Sequence, residues 1–220
     1  MKKISTAILL LFLVVGATAQ YKKASFFEKT GRTYGINAKL HAMGDGKGTP
    51  IGINFSFGRD QDGKRVFTFW DLTIIPGYDF KLNTGTENGE AITVTGKSRT
   101  QINYSYNWGY HLLKNEDNPK IQPYLTWGLN FHIFGGTKEI SDNNSNSNTK
   151  MVSDRSFSCG LGGGAGVVYN VTPGFGFKLE GGYTYQANIE LTQTDAKDYY
   201  HMYTSHPYVS AGVRFRIVSE

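Results

Sequence analysis

Beyond residue 19 the chain has no apolar run near the ~18 residues that a membrane-spanning helix needs, which excludes a helical anchor there. It has one cysteine, Cys159, which excludes an internal disulfide and leaves stability to other forces. Charged residues make up only 19% of the sequence, and no basic patch stands out, so nucleic acid is not an expected partner. Residues 1–20 contain no acid at all. The formal charge of +5 includes Lys2 and Lys3, so the rest of the chain carries a surplus of only three.

What is present begins with "MKKISTAILLLFLVVGATAQ". Two lysines, an apolar run from Ala7 to Val15 and the small residues Ala17-Thr18-Ala19 form the pattern of a secretory signal peptide cleaved near Ala19. No cysteine comes after the cut, which argues against a lipoprotein anchor. Residues 20–30 then read as an N-terminal lead; "QYKKASFFEKTGR" is taken as a poorly ordered periplasmic end rather than an amphipathic clamp. Glycine (27) and tyrosine plus phenylalanine (14 each) are abundant, a composition that suits an exported β protein.

The main body alternates. In "TQINYSYNWGYHLL", Ile102, Tyr104, Tyr106, Trp108, Tyr110 and Leu112 share one face, and Gln101, Asn103, Ser105, Asn107, Gly109 and His111 share the other. This period of two predicts a long strand with chemically opposite faces. The same pattern appears in "TYGINAKLHAM", "IGINFSFG", "KIQPYLTWGLNFHIF", "SFSCGLGGGAGVVYN", "FGFKLEGGYTYQANI" and "YVSAGVRFRI". An eighth strand, "RVFTFWDLTIIPGYDF", carries large apolar groups on both faces. Val66, Trp70, Leu72 and Ile74 are placed outward there, because the other register would put Arg65 and Asp71 with them; Pro76-Gly77 is expected to bend or bulge it.

The connections alternate too. A short loop at 44–49 and tight turns at 59–64, 114–119 and 171–174 contrast with long polar stretches near 81–98, 137–155 and 190–205. The fold class expected is therefore all-β, an eight-stranded antiparallel up-and-down transmembrane β-barrel over residues 31–217. Strands of ~9–11 residues suffice to cross a bilayer with apolar groups outward, and closure pairs every edge amide that lipid could not satisfy. With its signal peptide, strand pattern and "HPYVSAGVRFRI" near the end, the chain resembles the small eight-stranded outer-membrane barrels of Gram-negative bacteria. The likeness is greatest to the PorT-like "outer membrane protein beta-barrel domain" family, with OmpA/OmpX/OmpW-type architecture. Members of such families commonly end on an aromatic residue, whereas Phe215 here is followed by five more.

The inward parity collects Lys39, His41, Asp71, Lys178, Glu180, Arg214 and Arg216. Buried charges persist only when paired, so these are read as a salt-bridged plug in preference to a selective pore or proton path. Counting back from the last loop puts Glu180 opposite Arg214 and Lys178 opposite Arg216. Gly160, Gly162, Gly164 and Gly166 also face inward; they are read as room for Tyr124, Phe134 or His132, not as a phosphate loop. Tyr104, Trp108, Tyr110, Trp127, Tyr183, Tyr185, Tyr199, Tyr200 and Tyr203 are assigned to an interfacial aromatic girdle or the loop rim.

Other motifs read blandly. "DQDGK" lacks the downstream glutamate of a calcium loop and suits a hairpin turn. "YYHMYTSHP", with Asp195 and Asp198, has the residue types of a lipid-modifying rim enzyme but no supporting spacing, and "DNNSNSN" is a polar loop. The function expected is a non-enzymatic integral outer-membrane barrel with a filled lumen, for envelope integrity, surface interaction or secretion assistance. A narrow channel for small or hydrophobic solutes, a rim enzyme and a soluble lipocalin-like barrel are the alternatives. No cofactor or metal is expected. The expected partners are outer-membrane lipid and an extracellular or periplasmic protein or glycan; the barrel is expected to be a monomer.

Overall fold

In a computed structural model the described residues are 31–218, except 45–46, 61–63, 88–89, 114–119, 136, 143–155, 173 and 191–204. The signal peptide and the N-terminal lead lie outside the described residues. Among the described residues eleven strands succeed one another: β1 (Gly31–His41), β2 (Ile51–Asp60), β3 (Val66–Ile75), β4 (Asp79–Glu87), β5 (Glu90–Ser98), β6 (Gln101–His111), β7 (Ile121–Gly135), β8 (Thr137–Asp142), β9 (Ser156–Thr172), β10 (Phe175–Glu190) and β11 (His206–Val218). Eight of them close into a barrel in the order β1-β11-β10-β9-β7-β6-β3-β2, and β4-β5-β8 form a separate three-stranded sheet. Every pairing is antiparallel.

The barrel is inside out relative to a water-soluble domain. Ile36, Leu40, Ile51, Ile53, Phe57, Val66 and Trp70 are exposed on its outer wall, as are Leu125, Trp127, Leu129, Leu161, Phe177, Val209 and Ile217 on the other strands. The buried set is mostly polar, including Asn37, Lys39, Asn54, Asp71, Asn103, Ser105, Gln122, Asn130, Glu180 and Ser210. Alternation explains both faces, since each strand sends successive side chains to opposite sides. In β3, Val66 and Trp70 are exposed while Phe69 and Asp71 are buried, which is the register read from the sequence.

Two expectations are overturned. The polar stretches near 81–98 and 137–155 are not simply loops: β4 and β5 pair as a hairpin from Asp79↔Lys97 to Glu87↔Glu90, and β8 adds to β5. Threonines and valine in "NTGTENGEAITVTGKS" favour extended backbone, and polarity on both faces hides the period. Pro76-Gly77 does not bulge a strand; β3 ends at Ile75 and the chain turns through 76–78 into β4.

The connections define two ends. The turn end carries the links after β2, β6 and β9, and the loop end carries the other four, with β4, β5 and β8 among them. Gly48, at φ +85°, occupies the left-handed region in the first loop-end connection, where a side chain would be strained. Its carbonyl accepts a hydrogen bond from Met43 N at 3.1 Å.

Inside, glycines leave space for rings. A Cβ on Gly166 would meet the Tyr124 ring and hydroxyl and, at 2.7 Å, the Leu179 carbonyl; one on Gly164 or Gly182 would meet the Tyr208 hydroxyl. Gly162 gives way to Asn130 and Gly109 to Phe67 in the same manner. Gly44 has open space around it. Gly166→Ala should therefore cost about 1–3 kcal/mol through overpacking, whereas Gly44→Ala should stay within ~0.5 kcal/mol of the wild type. Denaturant unfolding of the two variants in lipid, followed by tryptophan fluorescence, checks the contrast.

Candidate functional site

The residues assigned to the lumen gather in three layers. The middle layer centres on Glu180, which is 5% exposed. Its Oε2 accepts from Tyr124 Oη at 2.9 Å and faces Lys178 Nζ at 3.0 Å, while its Oε1 accepts from Tyr208 Oη at 2.9 Å. Lys39 Nζ lies 3.9 Å from the centre of the Tyr208 ring, and Lys178 Nζ lies 4.9 Å from that of Phe69. Across the lumen, Asp71 accepts from Ser56 Oγ at 2.6 Å and from Asn107 Nδ2 at 3.3 Å. Asn37, Asn54 and Thr73 continue this network through side-chain hydrogen bonds of 2.8 and 2.9 Å.

Strand register builds the middle layer. Tyr124 is the direct partner of Gly166, and Gly166 of Glu180. With no side chain on the intervening strand, the tyrosine on β7 reaches a carboxylate two strands away. Tyr208 uses Gly182 and Gly164 likewise, being paired to the first, which is paired to the second.

The turn-end layer holds Asp60 and Arg214, joined by an Arg214 Nη2 to Asp60 Oδ2 contact of 2.6 Å. His111 Nε2 lies 3.5 Å from Asp60 Oδ1, and Phe67 stacks on the His111 ring at 4.3 Å. Arg216 is buried beside Gly31, whose absent side chain leaves room for it. The loop-end layer holds His41 and His206, with Nδ1 and Nε2 2.8 Å apart, and buried Gln101, Asn103 and His132. Above it Ile75, Met43 and Tyr78 form a small apolar cluster. Burial pushes the Tyr78 phenol up to about 12, so it stays a donor, to Met43 Sδ at 3.3 Å.

The expected cross-strand pairing of Glu180 with Arg214 is a correction. Glu180 lies opposite Ser210, Arg214 opposite Gly176, and Lys178 opposite Gly212. The count back from the last loop assumes that β10 and β11 reach the loop end together. Instead β10 outruns β11: among the described residues, Tyr185 to Glu190 pair with β9 and have no partner in β11, the stagger that closing a sheet into a barrel demands. Glu180 takes Lys178 from its own strand, and Arg214 takes Asp60. The turn motif in the sequence claims Asp60, but it is the last residue of β2 and 1% exposed, at an inward parity that alternation from Gly52 already implies.

The aromatic assignments divide. Tyr104, Trp127, Tyr183 and Tyr185 are exposed on the outer wall, and Tyr185 is 63% so. Trp108 packs edge-on against Tyr106, with centroids 4.8 Å apart, and Tyr110 accepts from Arg65 Nη1 at 3.2 Å. Tyr199, Tyr200 and Tyr203 lie outside the described residues, as does most of "YYHMYTSHP". The side chain of Phe134 is also outside them. Among the described residues no group of three or more His, Cys, Asp or Glu is placed to hold a metal ion. No described helix is long and apolar enough to cross a membrane, which says nothing of strands.

No family model and no curated protein sequence matches the chain. Solved structures do. The chain is similar to the N-terminal β-barrel domain of Pseudomonas aeruginosa OprF at 15% identity and TM-score 0.49, covering 86% of this chain and 98% of that one. It is similar to Neisserial surface protein A at 16% identity and TM-score 0.48, covering 86% and 97%. The outer membrane protein OprG of Pseudomonas aeruginosa is similar at 12% identity and TM-score 0.48, covering 88% and 99%.

The middle layer yields a double-mutant test. Removing one partner of a buried ion pair costs about 3–5 kcal/mol, so Glu180→Gln should destabilise the barrel by that order. Lys178→Met should recover part of the loss in the Glu180→Gln background, while Arg214→Met should add to it. Unfolding free energies of the singles and doubles measure the coupling; additivity for Glu180 with Lys178 would contradict the contact.

Proposed function

We propose that this chain is an integral outer-membrane β-barrel that works as a filled scaffold, supporting the envelope and presenting its loop end to a protein or glycan. The observation that carries the reading is the inversion of its two faces. An outer wall rich in Ile, Leu, Val, Phe and Trp encloses a lumen of hydrogen-bonded asparagines, serines and ion pairs. Water would not favour so continuous an apolar exterior, and a closed barrel leaves no edge amides for lipid to meet. The signal-peptide pattern of residues 1–19 supplies the route of export.

Filling argues for a scaffold over a channel. The cavity lined by Phe67, Phe69, His111, Tyr124, Lys178 and Arg214 holds about 50 Å³, space for a few waters at most. Rings and paired charges occupy the lumen above and below it. The loop end is where the chain departs from a minimal barrel. There β4 and β5 rise as a hairpin, and β8 comes one residue after β7 and joins them. The stretches near 137–155, which begins with β8, and 190–205, with Tyr199, Tyr200 and Tyr203, join barrel strands at the same end and are the proposed surface for recognition.

Three measurements test this. The mature chain should fractionate with outer membranes and show heat-modifiable gel migration; recovery as a soluble periplasmic monomer would end the proposal. In planar bilayers it should give no stable conductance large enough for sugars, and a reproducible open pore would replace the filled scaffold with a channel. Removing residues 139–152 and replacing Tyr199, Tyr200 and Tyr203 by serine should preserve insertion while abolishing partner capture.

A further inference from the structure

On the outer wall at the turn end, two arginines face one another. Arg32 of β1 and Arg59 of β2 are direct cross-strand partners, and both side chains are exposed. Such partners hold their Cβ atoms about 4.5–5.5 Å apart, where like charges repel. Their next outward neighbours are Ile217 on β11 and Thr68 on β3, neither of them an acid. The described ion pairs all involve other residues.

Directly inboard of the arginines, toward the middle of the wall, lies a row of rings. Tyr34, Phe57, Trp70 and Tyr106 are successive partners across β1, β2, β3 and β6. Tyr34 meets Phe57 edge-on with centroids 6.0 Å apart, and Trp70 meets Tyr106 at 4.3 Å. The two arginines and these four rings line an outward-facing groove of about 520 Å³. The short side chain of Thr68, between Trp70 and the end of the strand, helps leave it open.

Charge and depth together specify the occupant. Along β1 and β2 the arginines are the last outward positions at the turn end, one outward position beyond the rings of Tyr34 and Phe57, where long cationic side chains reach headgroups. Guanidinium groups bind phosphate oxygens bidentately, so an anion between them turns a repulsive pair into a clamp. We propose that Arg32 and Arg59 hold the phosphate of one anionic glycerophospholipid from the leaflet at the turn end, with an acyl chain lying in the aromatic groove. The inference rests on the reading of this chain as a membrane barrel. A soluble protein partner would leave the rings unexplained, because they sit at hydrocarbon depth.

The test uses the mature barrel folded in a mild detergent and titrated with phosphatidylglycerol, with bound lipid counted by native mass spectrometry. Wild type should retain one lipid. The variant Arg32→Gln/Arg59→Gln should bind it about 25-fold more weakly, since each cation beside an anionic surface is worth about a fivefold gain. Arg65→Gln, which removes a nearby cation that bonds Tyr110, should change binding less than about twofold. Heat-modifiable migration of every variant shows that the barrel is folded. Equal lipid retention by wild type and the double variant would overturn the clamp while leaving the membrane reading intact. Displacement of the lipid by millimolar inorganic phosphate would overturn it in favour of a free-phosphate site. Failure of the wild type itself to insert into vesicles would instead remove the membrane reading, and the clamp with it.

Discussion

Glu180 accepts hydrogen bonds from Tyr124 and Tyr208 and pairs with Lys178, all within 3.0 Å, inside a barrel whose diameter is set by eight strands. The constraint behind that arrangement is general. A barrel of this size has an interior just wide enough for side chains to fill, and when the outer wall takes the apolar groups, the polar ones must satisfy each other within. A buried carboxylate is costly unless its lone pairs are met. Meeting them here requires two tyrosines, one from the neighbouring strand and one from two strands away, and three glycines, 164, 166 and 182, that leave their paths clear. The glycine-rich stretch of β9 is thus the complement of one acid on the neighbouring strand.

The same constraint decides which parts of the molecule are legible in the sequence. Parity within a strand is a local property, fixed by the alternation of side chains, so the outward face of β3 can be read despite large apolar groups on both sides. Strand pairing is not local. Counting along the chain puts Glu180 opposite Arg214, four positions from its true partner Ser210, because stagger accumulates around the barrel and no single strand records it. The glycine stripe reads correctly as space, yet the chief occupant beyond Tyr124 is Tyr208, which only register brings over Gly182. Asp60 escapes for another reason. It stands in "RDQDGK", whose turn chemistry is so strong that the strand's last inward position passes for part of the turn.

The hairpin of β4 and β5 is hidden by its composition. Barrel strands announce themselves through contrast between lipid and lumen faces, and a sheet of alternating threonine, glycine and charge offers no such contrast. β-Branched residues are the available signal, and they are a weaker one.

The two ends of the lumen carry different chemistry. At the turn end, Asp60 binds Arg214 and meets His111, and Phe67 lies flat against that histidine. At the loop end, His41 pairs with His206, beneath the cluster of Ile75, Met43 and Tyr78. Neither layer could be exchanged for the other. The turn end can hold full charges because an acid and a base arrive there on strands β2 and β11, which both neighbour β1. The loop end has no described acid in its layer and uses imidazoles and amides, with the Met43 thioether above them, instead. Side chains net the middle of the lumen, and the outer surfaces of the barrel lie open to contact. Those surfaces are of two kinds: an apolar wall edged by arginines and rings, and a loop end built up beyond the minimal barrel.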